Sequence, residues 1–344
     1  MQYAELGHTG LLVSRLAFGA MTFGQGILVG DWKTEIGQDQ ATKMVAMSLD
    51  AGVNFFDTAD MYTSGQSETM LGKALKGRRQ DAVIATKCGF RAGPAITARG
   101  LTARHILHSV EASLERLGTD YIDLYILHIP DPYTPLEETA RALEDAVRKG
   151  LVRYTGVSNF PAWKAQKLLS LQRVRGYSPL CVLQMYYSLL GRDIEHEIVP
   201  MLQEESLGLM TWSPLASGFL SGKYTRGNPV PEGSRRAKFD FPPVDVDKGY
   251  AVVDALKTVA SAHKATVPQA ALAWLLAKEH VTSVLVGAAS AAQLKDNLGA
   301  ADIRLAPEEA SLLDSLTTPA QPYPAWMQSM ALDPAVEQEL ARKR

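Results

Sequence analysis

Eight short β-rich runs alternate with longer helical patterns almost to the end of this 344-residue chain. The alternation predicts parallel strands joined by helices, because parallel neighbours need a long crossover connection that an α-helix usually supplies. Eight such units close most economically into a (β/α)8 barrel, the TIM barrel, so the sequence predicts an α/β protein of that class. The predicted strands cover residues 15–19, 53–57, 82–87, 122–128, 152–157, 181–185, 208–212 and 283–287.

The segments around these units complete the predicted organisation of a single domain. Residues 1–14 predict a β-hairpin that plugs one end of the barrel, which itself covers residues 15–318. Residues 319–344 form a C-terminal tail near the pocket. The Gly-, Pro- and Arg-rich segment 213–247 predicts a long loop after the seventh strand, and such loops are usually functional or disordered.

Several helix ends have recognisable caps. The stretch TPLE at residues 134–137 predicts a capping box with proline at the first helical position, and Gly150 predicts the left-handed end of that helix. Similar boxes are predicted at Thr266 and Ser290.

A doubly wound sheet is the alternative with the same alternation. Its usual dinucleotide fingerprint is G-x-G-x-x-G, which opens a helix directly after a strand. The nearest stretch, GQGILVG at residues 24–30, has the wrong spacing and runs into a polar segment. A dinucleotide would therefore have to be bound in another way.

The composition is that of an ordinary globular protein, with 46% hydrophobic and 21% charged residues. The 35 Lys and Arg residues are balanced by 37 Asp and Glu residues, so nucleic acid is not an expected partner. No apolar run reaches the about eighteen residues of a membrane span, so we expect no membrane partner.

The first residues contain neither a basic flank before an apolar core nor a cleavage-like site, which predicts no secretory signal. Two cysteines, Cys88 and Cys181, do not make a disulfide framework, and this fits a cytoplasmic location. Strand alternation predicts that the Cys88 thiol points away from the catalytic end and serves in packing.

Four polar residues lie at or just after predicted strand ends. Asp57, Lys87 and His128 end strands two, three and four, and Tyr62 follows strand two by five residues. These strand ends face one mouth of a barrel. We therefore expect Lys87 to supply the counter-charge that a buried Asp57 carboxylate needs.

This combination suits the reduction of a carbonyl group. A tyrosine with a pKa near ~10 is protonated at neutral pH and can give a proton to a carbonyl oxygen that gains negative charge. Lys87 would assist the phenol, and His128 would orient or polarise the carbonyl. None of these groups donates hydride, so a nicotinamide cofactor would be required. A structural Asp57–Lys87 ion pair and a satisfied core histidine are the alternatives.

Seven stretches resemble the aldo-keto reductases in order and spacing: FFDTADMY, ATK, YILH, GVSNF, LQMYYSLL, WSPLASGFLSGKY and QLKDNLGA. The resemblance covers about residues 6–316, and its motif style is closest to the branch with bacterial aldo/keto reductases and voltage-gated potassium channel beta subunits. It implies a (β/α)8 barrel that binds NADP(H) without a Rossmann fold and reduces aldehydes or ketones. It also implies Tyr62 as general acid/base, tuned by Lys87 and Asp57, with His128 at the carbonyl.

The resemblance implies three groups of cofactor-binding residues. Those around the nicotinamide are Ser158, Asn159, Gln184 and, under the ring, Trp212. Those around the pyrophosphate are Ser213, Leu215, Gly218, Ser221 and Lys223. Those toward the adenine end are Gly287, Gln293 and Asn297, with Arg235 at the 2′-phosphate. Because of Lys223 and Arg235, NADP(H) is expected ahead of NAD(H).

Trp32 and Trp326 are predicted to rim the substrate pocket, and the expected substrate is a small aldehyde, ketone or sugar. The sequence carries no signal for an oligomeric partner. The leading function is a reversible NADP(H)-dependent carbonyl reductase. A cofactor-binding regulatory subunit is the second, because WSPL, SGKY and NLGA resemble channel-associated relatives. A metal-dependent hydrolase that uses Asp57 and His128 is the third, and it leaves Tyr62 and Lys87 without a purpose.

Overall fold

The computed structural model describes residues 1–29, 32–232 and 234–341. The end of the GQGILVG stretch at Gly30, Gly233 in the long loop and residues 342–344 of the tail lie outside the described residues. The strands are β1 (Tyr3–Glu5), β2 (Leu12–Ser14), β3 (Leu16–Gly19), β4 (Gly24–Val29), β5 (Trp32–Ile36), β6 (Phe55–Asp57), β7 (Val83–Cys88), β8 (Ile122–Leu127), β9 (Val152–Ser158), β10 (Leu180–Tyr186), β11 (Gly208–Trp212) and β12 (Ser283–Val286).

The α-helices fall into those that surround the sheet and short ones in the loops and tail. They are α1 (Gln38–Asp50), α2 (Gln66–Ala74), α3 (Ala103–Leu117), α4 (Leu136–Arg148), α5 (Ala162–Arg175), α6 (Ile198–Glu204), α7 (Arg235–Lys238), α8 (Val246–Ala262), α9 (Val267–Leu276), α10 (Ala291–Leu298), α11 (Pro307–Thr317), α12 (Ala325–Gln328) and α13 (Pro334–Ala341). Among the helices of the described ranges, none is long and apolar enough to cross a membrane.

Eight parallel strands form a closed barrel in the order β3, β6, β7, β8, β9, β10, β11, β12, and β12 pairs with β3. Neighbours in the barrel follow one another among these eight strands along the chain, as expected when helices connect them. The predicted (β/α)8 fold is confirmed, and each predicted strand matches an observed one to within two residues at either end. That residues 1–344 form one domain stays a prediction.

Side-chain alternation decides what fills the barrel. The inward positions of the strands carry buried apolar residues, among them Phe55, Val83, Ala85, Leu124, Ile126, Val182 and Met210. Residues two positions further along each strand point to the same side as these apolar residues. At the carboxyl end of the barrel, these positions are occupied by Asp57, Lys87, His128, Gln184 and Trp212. The Cys88 side chain points to the opposite side of its strand and packs in the outer core between strands and helices, as predicted.

The N-terminal hairpin closes the opposite end of the barrel. Strands β1 and β2 pair antiparallel with Tyr3 opposite Ser14. Leu6 and Val13 are completely buried in the interior cluster of the barrel. Gly7 has φ +61°, and an added Cβ would lie 2.2 Å from the backbone oxygen of Cys181. The hairpin therefore sits directly against the strand ends, and the predicted plug is confirmed.

The capping box predicted for residues 134–137 is wrong. Helix α4 begins at Leu136, after Pro135 at the N-cap, and no side chain caps it. The Thr134 hydroxyl instead donates to Asp131 Oδ2 at 2.6 Å, and this carboxylate oxygen also accepts from the backbone N–H of Leu101 at 2.9 Å. The Thr134 hydroxyl, which the sequence predicts as the cap of α4, is therefore bonded to the Asp131 carboxylate instead.

The other predicted helix ends agree better with the structure. Thr266 accepts from the Gln269 backbone, and the Gln269 side chain accepts from the Thr266 N–H, which confirms that capping box. Ser290 caps α10, but Gln293 accepts from the N–H of the residue before Ser290, so this box is not reciprocal. Gly150 has φ +72° and follows the end of α4, as predicted.

A second hairpin follows the first barrel strand and was not predicted from the sequence. Its strands β4 and β5 pair antiparallel, with Gly24 opposite Ile36. Residues 24–29 of the GQGILVG stretch form the first strand of this hairpin and open no helix. Together with the closed barrel, this removes the doubly wound alternative. After β11 the chain forms a tight 3-10 segment (Ala216–Ser221), the short α7 and then the long α8.

Candidate active site

The Lys87 ammonium group is the centre of the site at the barrel mouth, which is the face formed by the carboxyl ends of the eight strands. Its Nζ donates to Asp57 Oδ1 at 2.6 Å, to the backbone oxygen of Thr58 at 2.7 Å and to the Tyr62 hydroxyl at 3.4 Å. The Lys87 side chain is completely buried, and Asp57 and Tyr62 are nearly so. The structure thus brings the predicted carboxylate, ammonium and phenol together.

A left-handed turn presents Tyr62 to this ammonium group. Thr63, Ser64 and Gly65 have φ values of +47°, +54° and +86°, a conformation that non-glycine residues rarely adopt. The Thr63 hydroxyl stabilises the turn by donating to the backbone oxygen of Phe23 at 2.9 Å. At Gly65 a Cβ would lie 2.6 Å from the Arg116 side chain, so glycine fits both the backbone and the space.

Burial and the neighbouring charges shift the pKa values of Lys87 and Tyr62 in opposite directions. Burial disfavours the Lys87 ammonium, but the attraction of Asp57 and Tyr62 outweighs it and raises the pKa of Lys87. Burial also raises the pKa of Tyr62, while the Lys87 charge pulls it down. For Asp57, burial raises the pKa, and Lys87 and Gln184 counteract this. At neutral pH the site therefore holds a protonated phenol beside a protonated amine.

His128 lies one residue beyond β8 and completes the predicted group of four. Its ring meets the Tyr62 ring edge-on at a centroid distance of 5.8 Å, and the Phe90 ring at 4.8 Å. Burial, aided by the Lys87 charge, holds the pKa of His128 well below 6.5. The imidazole is therefore neutral at pH 7 and can donate one hydrogen bond without being the proton source.

Hydrogen bonds join three of the four residues expected around the nicotinamide. Asn159, with φ +59°, donates from Nδ2 to the His128 backbone oxygen at 2.9 Å and to Ser158 Oγ at 3.0 Å. The Trp212 indole N–H donates to Asn159 Oδ1 at 3.1 Å. The fourth, Gln184, donates from Nε2 to Asp57 Oδ2 at 2.8 Å, so in this structure its amide supports the carboxylate.

The residues expected around the pyrophosphate form the tight turn after β11. Ser213 and Gly218 have φ values of +52° and +87°, and Leu215 precedes the 3-10 segment. Ser221 Oγ donates to the Gly218 backbone oxygen at 2.6 Å, and the Lys223 ammonium lies 5.7 Å from the Tyr224 ring centroid. The turn therefore brings this predicted group together.

The residues expected at the adenine end lie around the start of α10. Gln293 Oε1 accepts from the N–H of Ala289 at 2.9 Å, and Asn297 Nδ2 approaches the Gly287 backbone oxygen at 3.4 Å. Gly287 faces the Gly19 backbone oxygen, 3.8 Å from where a Cβ would lie. Their contact with a nucleotide stays a prediction.

Arg235, the first residue of α7, packs on the hairpin that precedes α1. Its guanidinium stacks on the Trp32 ring, 3.9 Å from the centroid, and its charge offsets a small part of the rise that burial causes in the pKa of Tyr62. The structure thus brings Trp32, predicted to rim the substrate pocket, into contact with Arg235, predicted to bind the 2′-phosphate. The binding of a 2′-phosphate by Arg235 stays a prediction. Trp326 lies in the tail, with its ring 5.9 Å from that of Tyr323 and half of its surface exposed, and its pocket role also stays a prediction.

The sequence did not single out three residues that the structure places at the site. Phe90 packs on His128, and Phe241 stacks on Trp212 at 5.8 Å with an angle of 13° between the rings. Asp60, between Asp57 and Tyr62 in the quoted FFDTADMY motif, is a buried carboxylate. The position of Asp60 within this motif could have indicated that it lies at the site. Phe90 and Phe241 lie in loops, where no local sequence pattern indicates a role at the site.

The geometry gives little support to the metal-dependent hydrolase. Both Asp57 carboxylate oxygens are engaged, one by Lys87 and the other by Gln184. In the part of the chain that the structure describes, no group of three or more His, Cys, Asp or Glu residues is arranged to hold a metal ion. The donor set at the mouth is instead that expected for proton transfer.

A family model described as "Aldo/keto reductase family" matches residues 15–318, which is most of the chain. The chain belongs to the aldo/keto reductase family. This confirms the resemblance read from the seven stretches and supports an oxidoreductase. The match spans the whole barrel and the long loop after β11.

Two similar proteins carry the name "Probable voltage-gated potassium channel subunit beta". The one from Arabidopsis thaliana is 37% identical over 316 residues, which cover 88% of this chain and 92% of the relative. The one from Oryza sativa subsp. japonica is 36% identical over 330 residues, which cover 92% and 96%. The predicted branch of the family, which contains such subunits, is therefore confirmed.

Proposed function

We propose that the protein is an NADP(H)-dependent oxidoreductase that reversibly reduces aldehyde or ketone groups to alcohols. The observation that carries this proposal is the position of the Lys87 ammonium group, which contacts both the Asp57 carboxylate and the Tyr62 hydroxyl in a buried site. A structural ion pair would not need the phenol. The left-handed turn that brings Tyr62 to the pair indicates a role in chemistry.

Each residue of the barrel mouth then has a separate role in the reduction. Tyr62 gives its proton to the carbonyl oxygen, because His128 is neutral at pH 7 and Lys87 is held protonated. Lys87 stabilises the phenolate that remains, and Asp57 keeps Lys87 charged and in place. His128 donates one hydrogen bond to the same carbonyl oxygen. A bound nicotinamide would supply the hydride for the carbonyl carbon.

Orphaned polar atoms in the loop after β11 fit the diphosphate of such a cofactor. Tyr224 Oη and Ser234 Oγ are buried and have no hydrogen-bond partner within the described ranges. Ser213, Ser217 and Gly218 have positive φ values, a backbone conformation that also occurs in anion-binding turns. The hydroxyl groups and the Lys223 ammonium would together satisfy phosphate oxygens.

The finer parts of the proposal rest on the sequence. NADP(H) is favoured over NAD(H) because of the basic residues of the loop, and the substrate is a small aldehyde, ketone or sugar. A cytoplasmic location belongs to the same proposal, and both cysteines are free. Cell fractionation and a substrate screen with both cofactors would check these points.

The test follows NADPH oxidation with 4-nitrobenzaldehyde. Tyr62→Phe should lower turnover by at least about a hundredfold, since general acid catalysis contributes about that much, while NADPH binding, followed by protein fluorescence, is retained. Tyr133→Phe is the matched control, because Tyr133 is 78% exposed. Near-normal turnover in Tyr62→Phe would remove the phenol from the acid role.

A cofactor-binding regulatory subunit is the second candidate. It is favoured by the names of the two relatives, whose similarity spans nearly the whole of each chain. Such a protein would bind NADPH but show no turnover with any aldehyde of the screen. Sustained turnover that depends on Tyr62 would favour the reductase.

A further inference from the structure

We propose that Glu68 and Arg116 are positioning residues, which join the turn that carries Tyr62 to the strand that carries Lys87 and so hold the phenol at the ammonium group. The inference rests on the proposed reductase function, because it concerns the group that would give the proton. The two side chains belong to α2 and α3, on the helical layer around the barrel, and they act through Tyr62 and Lys87.

The Glu68 carboxylate bridges two parts of the structure. It lies in the first turn of α2 and is completely buried. Its Oε1 accepts from the Thr86 hydroxyl at 2.6 Å, and its Oε2 accepts from Arg116 Nε at 2.6 Å. A buried carboxylate is costly unless it is paired and hydrogen-bonded, so the folded protein retains both contacts. Glu68 therefore connects β7 and α3 through the beginning of α2.

Thr86 attaches this carboxylate to the strand that carries the ammonium group. It immediately precedes Lys87 on β7. Because side chains alternate along a strand, the Thr86 hydroxyl points out toward α2 while the Lys87 side chain points into the barrel. The hydrogen bond from Thr86 to Glu68 therefore fixes the start of α2 at the level of Lys87.

Arg116 supports the left-handed turn that follows Tyr62. Gly65 ends this turn with φ +86°, and a Cβ there would lie 2.6 Å from Arg116 Cδ and 3.0 Å from its Nε. The guanidinium is held by Glu68 and by the Ser113 hydroxyl, which accepts at 3.2 Å. Strained left-handed residues persist only where the surrounding structure holds them. The arginine side chain, packed against Gly65, therefore keeps the turn in place.

The contact between Tyr62 and Lys87 is the one that depends on this support. The ammonium group is held separately by Asp57 at 2.6 Å and by the Thr58 backbone oxygen at 2.7 Å, whereas the Tyr62 hydroxyl lies at 3.4 Å. The position of the phenol is thus set by its own segment. A displacement of about 1 Å in a reacting group can cost about a hundredfold in rate, so loss of the support should lower kcat.

The experiment measures kcat with NADPH and 4-nitrobenzaldehyde for Arg116→Gln and Thr86→Val. Each variant should lower kcat by about tenfold to a hundredfold, with the dissociation constant of NADPH unchanged. Thr86→Val keeps the ion pair and nearly the same shape, so it decides the question if Arg116→Gln does not fold. Arg116→Lys should restore part of the loss, because it keeps a cation beside Glu68. Wild-type kcat in either variant, shown to be folded by denaturant unfolding, would overturn the inference.

Arg79→Gln is the matched control. Arg79 forms an ion pair with Asp123 at the same distance of 2.6 Å and is also partly buried, but it precedes β7 and so lies at the opposite end of the barrel from Lys87. This variant should lower the free energy of unfolding and leave kcat unchanged.

The Tyr62→Phe background separates positioning from a merely structural role. Arg116→Gln and Thr86→Val should cause no further loss of the residual turnover there, because the phenol that they position is already absent. Equal fold losses in both backgrounds would show that the ion pair only stabilises the fold, and would overturn the inference.

A titration of Tyr62 requires no turnover. The protein is made with ¹³C-labelled tyrosine, and the Tyr62 signal is the one that Tyr62→Phe removes. The charged groups that act on the phenol are Lys87, Asp57 and Arg235. Thr86→Val changes none of them, but it should raise the pKa of Tyr62, because the phenol moves away from the ammonium group. If the wild type reduces no aldehyde, the reductase proposal fails; a raised pKa would still support the inference, and an unchanged pKa would overturn it.

Discussion

Asp60 should destabilise the folded protein at neutral pH, and its replacement by asparagine should reveal by how much. The side chain is buried, and neither carboxylate oxygen has a hydrogen-bond partner of good geometry in the described part of the chain. Burial, with the repulsion of Glu68, raises the pKa of Asp60 from 3.8 to about 7, and Arg116 offsets only part of this. Asparagine has nearly the same shape and no charge.

The magnitude follows from the difference between the two pKa values. Below pH 3.8 the carboxyl group is protonated in both the folded and the unfolded protein, so ionisation contributes nothing. Between pH 3.8 and about 7 the unfolded chain loses the proton while the folded protein keeps it, so stability falls as the pH rises. A difference of about 3 pH units at 1.36 kcal/mol per unit gives a loss of about 4 kcal/mol above pH 7.

The assay is denaturant unfolding of wild type and Asp60→Asn between pH 4 and pH 8. The free energy of unfolding of the variant, relative to wild type, should increase by about 4 kcal/mol over this range, and comparing pH values removes any constant effect of the amide. Asp302→Asn, at an exposed position, should show no comparable increase. A difference for Asp60→Asn that does not change with pH would show that the carboxylate is solvated or paired, and would refute the reasoning.

Two further predictions concern the catalytic group. Lys87→Met should abolish turnover and lower the free energy of unfolding by about 3–5 kcal/mol, because it leaves the buried Asp57 carboxylate without its counter-charge; denaturant unfolding would show this, and Asp57→Asn in the same chain should restore part of the loss. In reduction, kcat/KM should stay level from about pH 7 to pH 9, because burial raises the Tyr62 pKa above 10.0 and lowers that of His128 well below 6.5. An inflection near pH 6.5 in the rate profile would contradict the buried, neutral His128.

Local patterns in the sequence were sufficient to predict the regular part of the fold. The alternation of strands and helices predicted all eight barrel strands, and the position of Asp57, Lys87 and His128 at strand ends predicted that they share one end of the barrel. The alternation of side chains along a strand predicted that Cys88 packs outside. The hairpin of β4 and β5 was missed, because Gly24 and Gly26 break the alternation that marks a strand.

The contacts that could not be predicted join residues far apart in the chain. Gln184 and Asp57 are 127 residues apart, and only the closed barrel brings the amide across the interior to the carboxylate. The resemblance to the family implies that Gln184 contacts the cofactor, and the structure adds the hydrogen bond from its amide to the Asp57 carboxylate. Arg235 and Trp32 likewise come from two loops with no repeating pattern, so their stacking is visible only in three dimensions.

The alternation that fills the barrel also sets the electrostatics of its mouth. Apolar side chains lie below Asp57 and Lys87 on the same face of each strand, and the N-terminal hairpin seals the far end with Leu6 and Val13. Water is thereby kept from the lower side of the ion pair, so each charge acts more strongly on the Tyr62 phenol than it would in solvent. The stability of the barrel interior and the acid strength of the phenol thus depend on the same packing, and a polar substitution at Phe55 or Ala85 should impair both.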